Sequence, residues 1–266
     1  MKKSYKKIFI ILTFVLITVI TYAFSIYKNK TEIPKLQIEE IKPTSEKIPE
    51  VELKPEIKTK EFYKITDRST IIPVDKTNKK KILLLTIDDG PSKRTKDMIE
   101  ILNKHNAKAI FFINGMHDKA NEGVIKYIYD EGYALGNHTW DHPYLKKLKD
   151  ETIIKKDIDK NSDLILKLTG SLPHFFRAPY GESTIQIRDY IKEKKMISMN
   201  WSGAAKDWEK STVNKDIFIS NVTKDLHSGS IILIHEHPWS LANLDALLTT
   251  LESDGYTYVD PKDIIE

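Results

Sequence analysis

The sequence contains no cysteine. Disulfide bonds and thiolate metal sites are therefore excluded, and any metal ion must be held by histidine, aspartate or glutamate. An excess of positive charge is confined to the start of the chain: residues 1–60 carry 12 Lys and 7 Glu, whereas residues 61–266 carry 30 Lys and Arg against 31 Asp and Glu. The larger part of the chain thus lacks the basic surface of a nucleic-acid-binding protein, and we expect no nucleic-acid partner.

The first 27 residues have the pattern of a membrane anchor. Four lysines within residues 1–7 precede an uncharged run over residues 8–27. Such a run is long enough to cross the ~30 Å hydrocarbon core as a helix. Lysines that flank the helix stay in the cytoplasm, so we expect a single-pass membrane protein with its C-terminal domain outside the cell. A signal peptide cleaved near Ala23, which would give a secreted protein, is the alternative, although its apolar run usually has only about 7 to 15 residues.

Residues 28–79 are predicted to be an extended linker and lead-in. Four prolines between residues 34 and 55 lie among alternating Lys and Glu residues. This composition buries too little apolar surface to fold alone and is typical of a semi-extended tether. We expect the tether to carry a folded domain, residues 80–266, away from the membrane.

From about residue 80 the pattern alternates between strands and helices. The candidate strands are 82–87, 109–113, 133–136, 174–177, 196–200, 231–235 and 256–259. Apolar residues at helical spacing lie between most of them, as in the stripe of Leu244, Leu247, Leu248 and Leu251. Seven such β/α units indicate a parallel sheet. We expect the sheet to close into a barrel, and a doubly wound open sheet is the alternative.

Polar residues follow the ends of five candidate strands. In chain order they are Asp88 and Asp89, His138 and His142, Arg177 and Tyr180, Asp207 and Trp208, and His235. In parallel β/α folds the chemistry lies at the carboxyl ends of the strands, so we expect these side chains at one rim.

The two histidines four residues apart indicate a metal site. If the segment turns helically, His138 and His142 face one side and can share an ion. With one aspartate from the same rim they predict a His₂Asp site, whose open fourth position is the catalytic pattern for zinc. The other aspartate would stay free as a base. Because adjacent residues of an extended backbone point to opposite sides, we expect one of Asp88 and Asp89 to reach the metal and the other the substrate. An ordinary Asp-Asp-Gly-Pro turn is the alternative.

These residues give the chain a resemblance to the polysaccharide deacetylase family, also called the NodB-homology domain or carbohydrate esterase family 4, over about residues 80–260. The family motifs appear as TIDDGP at 86–91, HTWDH at 138–142, RAPY at 177–180 and LIH at 233–235. A further motif, D-x-x-D-W, is incomplete: AAKDW at 204–208 has Ala204 in place of its first aspartate. The resemblance implies a distorted (β/α)₇-type barrel.

The resemblance also implies a role for each matching residue. Asp88 would be the general base, oriented by Arg177, and His235 the general acid, tuned by Asp207. The backbone N–H of Tyr180 would hold the oxyanion. The metal would be held by Asp89, His138 and His142, and the substrate pocket lined by Tyr180, Trp208 and Leu233. The implied cofactor is a divalent metal, Zn²⁺ first, with Co²⁺, Ni²⁺ and Mn²⁺ as alternatives.

The implied function is removal of N-acetyl groups from amino sugars of a cell-wall polysaccharide, first of all from the N-acetylglucosamine of peptidoglycan. N-acetylmuramic acid, chitin oligomers and O-acetyl groups of other glycans are alternative substrates. Two other classes are also considered: a catalytically silent glycan-binding protein on the same fold, and an exported metal-dependent hydrolase of non-glycan substrates. The expected partners are the acetylated glycan and the membrane, and the expected state is a monomer.

Overall fold

The computed structural model describes residues 60–265. The anchor predicted for residues 1–27 and the linker as far as residue 59 lie outside this range. Within residues 60–265, no helix is both long enough and apolar enough to cross a membrane.

Ten strands are found in residues 60–265, and they form two sheets. The first sheet is an antiparallel hairpin of β1 (Tyr63–Ile65) and β2 (Ile71–Pro73). The second sheet is parallel throughout and contains β3 (Lys81–Gly90), β4 (Ala109–Ile113), β5 (Ala134–Asn137), β6 (Phe175–Phe176), β7 (Ile197–Ser198), β8 (Gly203–Ala204), β9 (Ser230–His235) and β10 (Tyr256–Tyr258).

The strand order of the large sheet is β7-β6-β5-β4-β3-β9-β8, and β10 pairs with the first residues of β3. The predicted parallel β/α arrangement is confirmed, and each of the seven candidate strands overlaps one observed strand. The order has two ends, β7 and β8, so the sheet is a curled half-barrel and not a closed ring.

Six α-helices of the described part cover the sheet: α1 (Thr95–Lys104), α2 (Val124–Asp130), α3 (Glu151–Thr169), α4 (Ile185–Glu193), α5 (Lys215–Thr223) and α6 (Pro238–Ser253). The leucine stripe predicted for α6 is fully buried against the sheet. Helix α3 begins after Asp150, whose side chain accepts from the N–H of Thr152, and ends at Gly170 with φ 76°. This left-handed end is the conformation that glycine adopts without strain.

The two faces of β3 lie in different cores. Leu83 and Leu85 pack with residues of the surrounding helices, whereas Ile82 and Leu84 pack with Phe112 of β4 and other side chains inside the curled sheet. Side chains alternate along a strand, so the following even-numbered residues also face inward. This alternation carries Asp88 into the interior of the half-barrel.

The hairpin and β8 are elements that the sequence patterns did not predict. The hairpin lies inside the range 28–79 that was assigned to the linker and lead-in, yet Tyr63 and Ile71 are buried in the interior core. Ile71 N–H donates to the carbonyl of Gly229 at 2.7 Å, beside the start of β9. The last part of the predicted lead-in is therefore packed against the domain.

Candidate active site

The carboxyl ends of β3, β5 and β9 bring the predicted polar residues to one rim. Asp88 is in register with His235 across the β3–β9 ladder. Strand β4 lies between β3 and β5 in the sheet. His138 is the first residue after β5. Both sides of the rim thus face Asp89, because His138 Nε2 lies 3.5 Å from Asp89 Oδ1 and His235 Nε2 lies 4.0 Å from Asp89 Oδ2.

Asp89, His138 and His142 form a cluster that could hold a metal ion. One ligand atom from each residue lies within 4.8 Å of the others. Asp89 Oδ1 is 3.5 Å from His138 Nε2 and 3.4 Å from His142 Nε2. Two imidazoles and one carboxylate are a donor set that suits zinc, and they leave room for a further ligand.

Two observations show that this cluster fits a cation. Asp89 Oδ1 is buried, and within residues 60–265 it has no hydrogen-bond partner. A buried carboxylate oxygen without a partner is costly, and a cation would satisfy it. His138 Nδ1 lies 2.7 Å from the carbonyl of Arg177. A proton on Nδ1 donates to that carbonyl and leaves Nε2 with the free lone pair that a metal ligand needs.

The charge state of His138 also suits a ligand. Burial lowers the pKa of His138 below its usual value, although the carboxylates of Asp88 and Asp89 act in the opposite direction. The neutral imidazole, which is the form that binds metal, is therefore favoured.

The backbone differs from two expectations, a helical turn at His138 and His142 and opposite directions for Asp88 and Asp89. The HTWDH segment is not helical: Thr139 and His142 have φ of 68° and 54°, and His142 N–H donates to Thr139 Oγ1 at 3.1 Å. Asp88 and Asp89 do not point to opposite sides, because Asp89 has φ 64° and leaves the extended conformation. Asp88 Oδ2 and Asp89 Oδ1 lie 3.6 and 3.5 Å from the same atom, His138 Nε2. Left-handed turns, which periodicity does not reveal, thus gather the ligands.

Replacing one imidazole tests the cluster. We expect His138→Ala to lose stoichiometric zinc binding, because two remaining ligands are too few for a stable site. Zinc content after dialysis, measured by elemental analysis, gives the readout. His174→Ala is the matched control. This exposed histidine directly precedes β6, at the amino end of the strand and away from the rim, so the variant should keep its zinc content. Full retention of zinc by His138→Ala would contradict the assignment.

Asp88 is held by a buried arginine. Arg177 Nη1 donates to Asp88 Oδ1 at 2.7 Å, and both side chains are almost fully buried. The same guanidinium donates to Thr86 Oγ1 at 2.7 Å and to the carbonyl of Asn200 at 2.9 Å, and its carbon lies 4.3 Å from the centre of the Phe112 ring. The arginine therefore fixes one oxygen of Asp88 and leaves Oδ2 facing the cluster.

His235 and Asp207 form a second pair, in which Asp207 is fully buried and the side chain of His235 is 15% exposed. Asp207 Oδ1 lies 2.7 Å from His235 Nδ1, and Asp207 Oδ2 accepts from the backbone N–H of His235 and from Ser240 Oγ, both at 2.6 Å. Burial disfavours the charge of Asp207, but the hydrogen bonds from His235 and Ser240 outweigh it and lower its pKa. Burial likewise opposes the charge of His235, but Asp207, with Asp88 and Asp89, raises the pKa of His235 to about 9. His235 Nε2 thus carries a proton toward the cluster at neutral pH.

The predicted pocket residues lie around these groups. Tyr180 has φ 60°, and its ring packs edge-on against His142 and Tyr144, with centroid distances of 4.9 and 5.1 Å. Trp208 packs edge-on against His235 at 5.7 Å. The side chains of Tyr180 and Trp208 are 62% and 52% exposed, whereas Leu233 is buried in β9. Two exposed aromatic rings therefore stand on opposite sides of the rim.

The Asp88–Arg177 and Asp207–His235 pairs are both in place although position 204 is alanine. Ala204 lies in β8, in register with Leu233 of β9. Asp207 reaches His235 through its own carboxylate, and Arg177 finds Asp88 and backbone carbonyls without any group from position 204. The missing first aspartate of the D-x-x-D-W motif is thus not required for either contact.

Several supporting residues were given no role by the sequence patterns. Thr86 Oγ1 accepts a hydrogen bond from Arg177, and Ser240 Oγ donates one to Asp207. Asn137 Oδ1 accepts from the N–H of Thr139 at 2.8 Å, and Asn114 Nδ2 donates to the carbonyl of His138, so both shape the loop of the two histidines. Asn161 on an otherwise apolar stripe of α3 donates to Asn137 Oδ1 at 3.0 Å. In the sequence, this network is indicated by Asn161, a polar residue at a position of α3 where the helical spacing predicts an apolar one.

A parallel β/α half-barrel with a candidate metal centre between a buried carboxylate and a partly buried histidine is an α/β protein whose site is suited to hydrolytic chemistry. Comparisons with known proteins agree with this class. The polysaccharide deacetylase family matches residues 75–197. The peptidoglycan-N-acetylglucosamine deacetylase PgdA of Listeria monocytogenes is 35% identical over 190 residues, which cover 71% of this chain and 39% of that protein. The chain thus matches about two fifths of the length of this relative.

Two solved structures are similar to this one. The Bc1960 peptidoglycan N-acetylglucosamine deacetylase, determined in complex with an N-hydroxybenzamide derivative, has a TM-score of 0.64 and 32% identity over 68% of this chain and 86% of that chain. The Bacillus anthracis protein BA3943, a CE4 family pseudoenzyme, has a TM-score of 0.63 and 28% identity over 68% of this chain and 63% of that chain. The chain belongs to the polysaccharide deacetylase family. Because one similar structure is a pseudoenzyme, activity has to be argued from the residues of the site.

Proposed function

We propose that the protein is a metal-dependent deacetylase that removes the N-acetyl group from N-acetylglucosamine in peptidoglycan. The observation that carries the proposal is the position of two oppositely charged groups beside one ligand cluster. Asp88, held by Arg177, has its free oxygen 3.6 Å from His138 Nε2, and His235 has its free nitrogen 4.0 Å from Asp89 Oδ2. The names of the similar proteins support the substrate class.

Asp89, His138 and His142 would hold the metal, with Zn²⁺ favoured by the donor set and Co²⁺, Ni²⁺ and Mn²⁺ as alternatives. A bound divalent ion acidifies water and polarises a carbonyl group. Asp88 accepts the proton of the attacking water, and Arg177 fixes the direction of its carboxylate through the hydrogen bond from Nη1 to Oδ1. Arg177 thus orients the base Asp88 and does not contact the substrate.

His235 and Tyr180 complete the reaction from the other side. The leaving group of an amide is a poor one until it is protonated, and His235 Nε2 carries the proton that it needs. The backbone N–H of Tyr180 would donate to the oxygen that gains charge; one such donor is worth about 3 kcal/mol in the transition state. The exposed rings of Tyr180 and Trp208 offer apolar faces on which a sugar can pack.

Release of acetate tests the proposal. We expect the full chain loaded with zinc to release acetate from acetylated peptidoglycan fragments, to lose this activity with a chelator, and to regain it when zinc is returned. Fragments acetylated only on N-acetylglucosamine, fragments acetylated only on N-acetylmuramic acid, and chitin oligomers identify the substrate. Asp89→Asn is the inactive control. A zinc-loaded chain that binds these glycans but releases no acetate would instead be the silent glycan-binding protein.

We also propose that residues 1–27 anchor the protein in the cell membrane, with the catalytic domain outside. The support is the uncharged run over residues 8–27 behind four lysines. Fractionation of cells that express the chain with a C-terminal tag should find a full-length product in the membrane fraction, accessible to protease in intact protoplasts. A released product that begins near Phe24 would show that the segment is a cleaved signal peptide.

A further inference from the structure

Glu236 is a buried carboxylic acid that the proposed chemistry does not use. It follows His235 at the end of β9 and is only 6% exposed. Burial raises the pKa of Glu236, although the hydrogen bond from Thr95 acts against this rise. Burying a carboxyl group costs free energy unless hydrogen bonds compensate for the lost water. The contacts of Glu236 therefore indicate its role.

The carboxyl group is fastened to the turn that follows the aspartate pair. The Thr95 hydroxyl donates to Glu236 Oε2 at 2.6 Å and accepts from the N–H of Ser92 at 2.9 Å. Arg94 Nη1 donates to the backbone carbonyl of Glu236 at 3.1 Å. The end of β9 and the start of α1 are therefore joined through residues that lie directly after the Asp88–Asp89–Gly90 sequence.

Gly90 shows how closely the carboxyl group fits. Gly90 is not among the glycines with positive φ, so its backbone conformation does not require a glycine. A Cβ atom at this position would overlap Glu236 Oε1. The absence of a side chain at residue 90 thus makes room for the carboxyl group, one residue after Asp89. Within residues 60–265, Oε1 itself has no hydrogen-bond partner, so its contact with Gly90 is one of packing.

We propose that Glu236 is a positioning residue for the metal site. Its carboxyl group fills the space beside Gly90 and, through Thr95, fixes the turn that holds Asp89 in its left-handed conformation, with φ 64°. Asp89 Oδ1 can then stay 3.4–3.5 Å from both histidine Nε2 atoms. The inference rests on the proposed function in one respect, namely that this cluster holds a metal. Residues that support a ligand in this way typically contribute about 10-fold to 100-fold to metal affinity.

Zinc affinity of the full chain, measured by competition with a chromophoric chelator, tests the inference without any deacetylation assay. We expect Glu236→Ala to raise the Kd for zinc about 10-fold to 100-fold. Glu236→Gln keeps the shape and the accepting oxygen and should stay close to the wild-type Kd. Asn243→Ala is the matched control, because it removes a buried polar side chain of α6 that donates to the carbonyl of Thr212, and it should leave the Kd unchanged.

A pair of substitutions tests the packing itself. Gly90→Ala should weaken zinc binding because the new methyl group displaces the carboxyl group or the turn. Combining it with Glu236→Ala removes the overlap, so the double variant should bind zinc more tightly than the product of the two single effects predicts. Thr95→Val, which lacks the hydroxyl group, should raise the Kd in the same direction as Glu236→Ala and serves if the alanine variant does not fold.

Three results would overturn the inference. Glu236→Ala that melts at a lower temperature but binds zinc as the wild type does would show a role in stability alone. Equal losses in Glu236→Gln and Glu236→Ala would show that negative charge, not shape, is what matters. A wild-type chain that binds no zinc would overturn both this inference and the proposed metal dependence. A chain that shows the expected changes in Kd but releases no acetate would contradict only the proposed activity.

Discussion

Asp88→Asn should lower the rate of deacetylation by about 10²- to 10⁴-fold while zinc stays bound, because an amide cannot take the proton from water. The substitution keeps the size of the side chain, and the remaining oxygen can still accept from Arg177 Nη1, which donates to Asp88 Oδ1 at 2.7 Å. The guanidinium also keeps Thr86 and the carbonyl of Asn200 as acceptors. The fold should therefore survive, and the loss should appear in kcat at unchanged zinc content.

The reciprocal substitution is the control that makes this result decisive. Asp88 Oδ2 and Asp89 Oδ1 lie at nearly equal distances from His138 Nε2, 3.6 and 3.5 Å, so distance alone does not separate base from ligand. The difference lies in their other contacts, since Asp88 is paired with Arg177 and Asp89 Oδ1 is buried without a partner in the described range. Asp89→Asn should lose zinc and activity together. If Asp88→Asn loses zinc and Asp89→Asn retains it, the two roles are reversed.

Sequence patterns predicted the fold well where the pattern is regular. The continuous apolar run of β3 and the helical spacing of the leucine stripe of α6 are both clear in the sequence, and both elements were predicted. Strand β8 and the hairpin strands lie outside the alternation of strands and helices from which the equally short β6, β7 and β10 were predicted: the hairpin precedes β3, and β8 follows β7 with no helix between them. Their positions depend on pairing with residues distant in sequence: Ala204 of β8 pairs with Leu233, and Tyr63 of the hairpin pairs with Ile264. Closure of the sheet could not be predicted for the same reason.

The site was predicted at the level of residue types but not of conformation. The motif residues were all placed at one rim, and the structure brings them there. The helical turn for His138 and His142 was wrong, as was the expectation that Asp88 and Asp89 point to opposite sides. Both errors come from residues with positive φ, including Thr139 and Asp89, whose conformations depend on contacts such as the hydrogen bond from Thr139 N–H to Asn137 Oδ1. Single residues in the left-handed region leave no periodic trace.

His235 should act as the general acid, so the effect of removing its imidazole on the rate should depend on the leaving group of the substrate. Amide hydrolysis requires a proton on the departing nitrogen, whereas an activated aryl ester leaves without one. We therefore expect His235→Ala to lower the rate on the amide substrate by about 10²- to 10⁴-fold and the rate on an aryl acetate much less. Both rates are measured on the same zinc-loaded preparation, so a change in metal content would appear in both. Equal losses on the two substrates would show that His235 only shapes the pocket.

The pH dependence tests the pair of His235 and Asp207. The pKa of His235 is raised to about 9, so the acid is fully protonated below its ordinary value near 6.5 and is lost as the pH rises through about 9. The rate should therefore stay high through neutral pH and fall on an alkaline limb as His235 loses its proton. Asp207→Asn removes the negative charge that lies 2.7 Å from His235 Nδ1, so the imidazolium loses its main stabilisation and the alkaline limb should move to lower pH. Asp150→Asn, the same change at the exposed cap of α3, should leave the limb in place. An alkaline limb that does not move in Asp207→Asn would contradict the pairing, and the carboxylate would then act by holding the backbone N–H of His235 and the hydroxyl of Ser240.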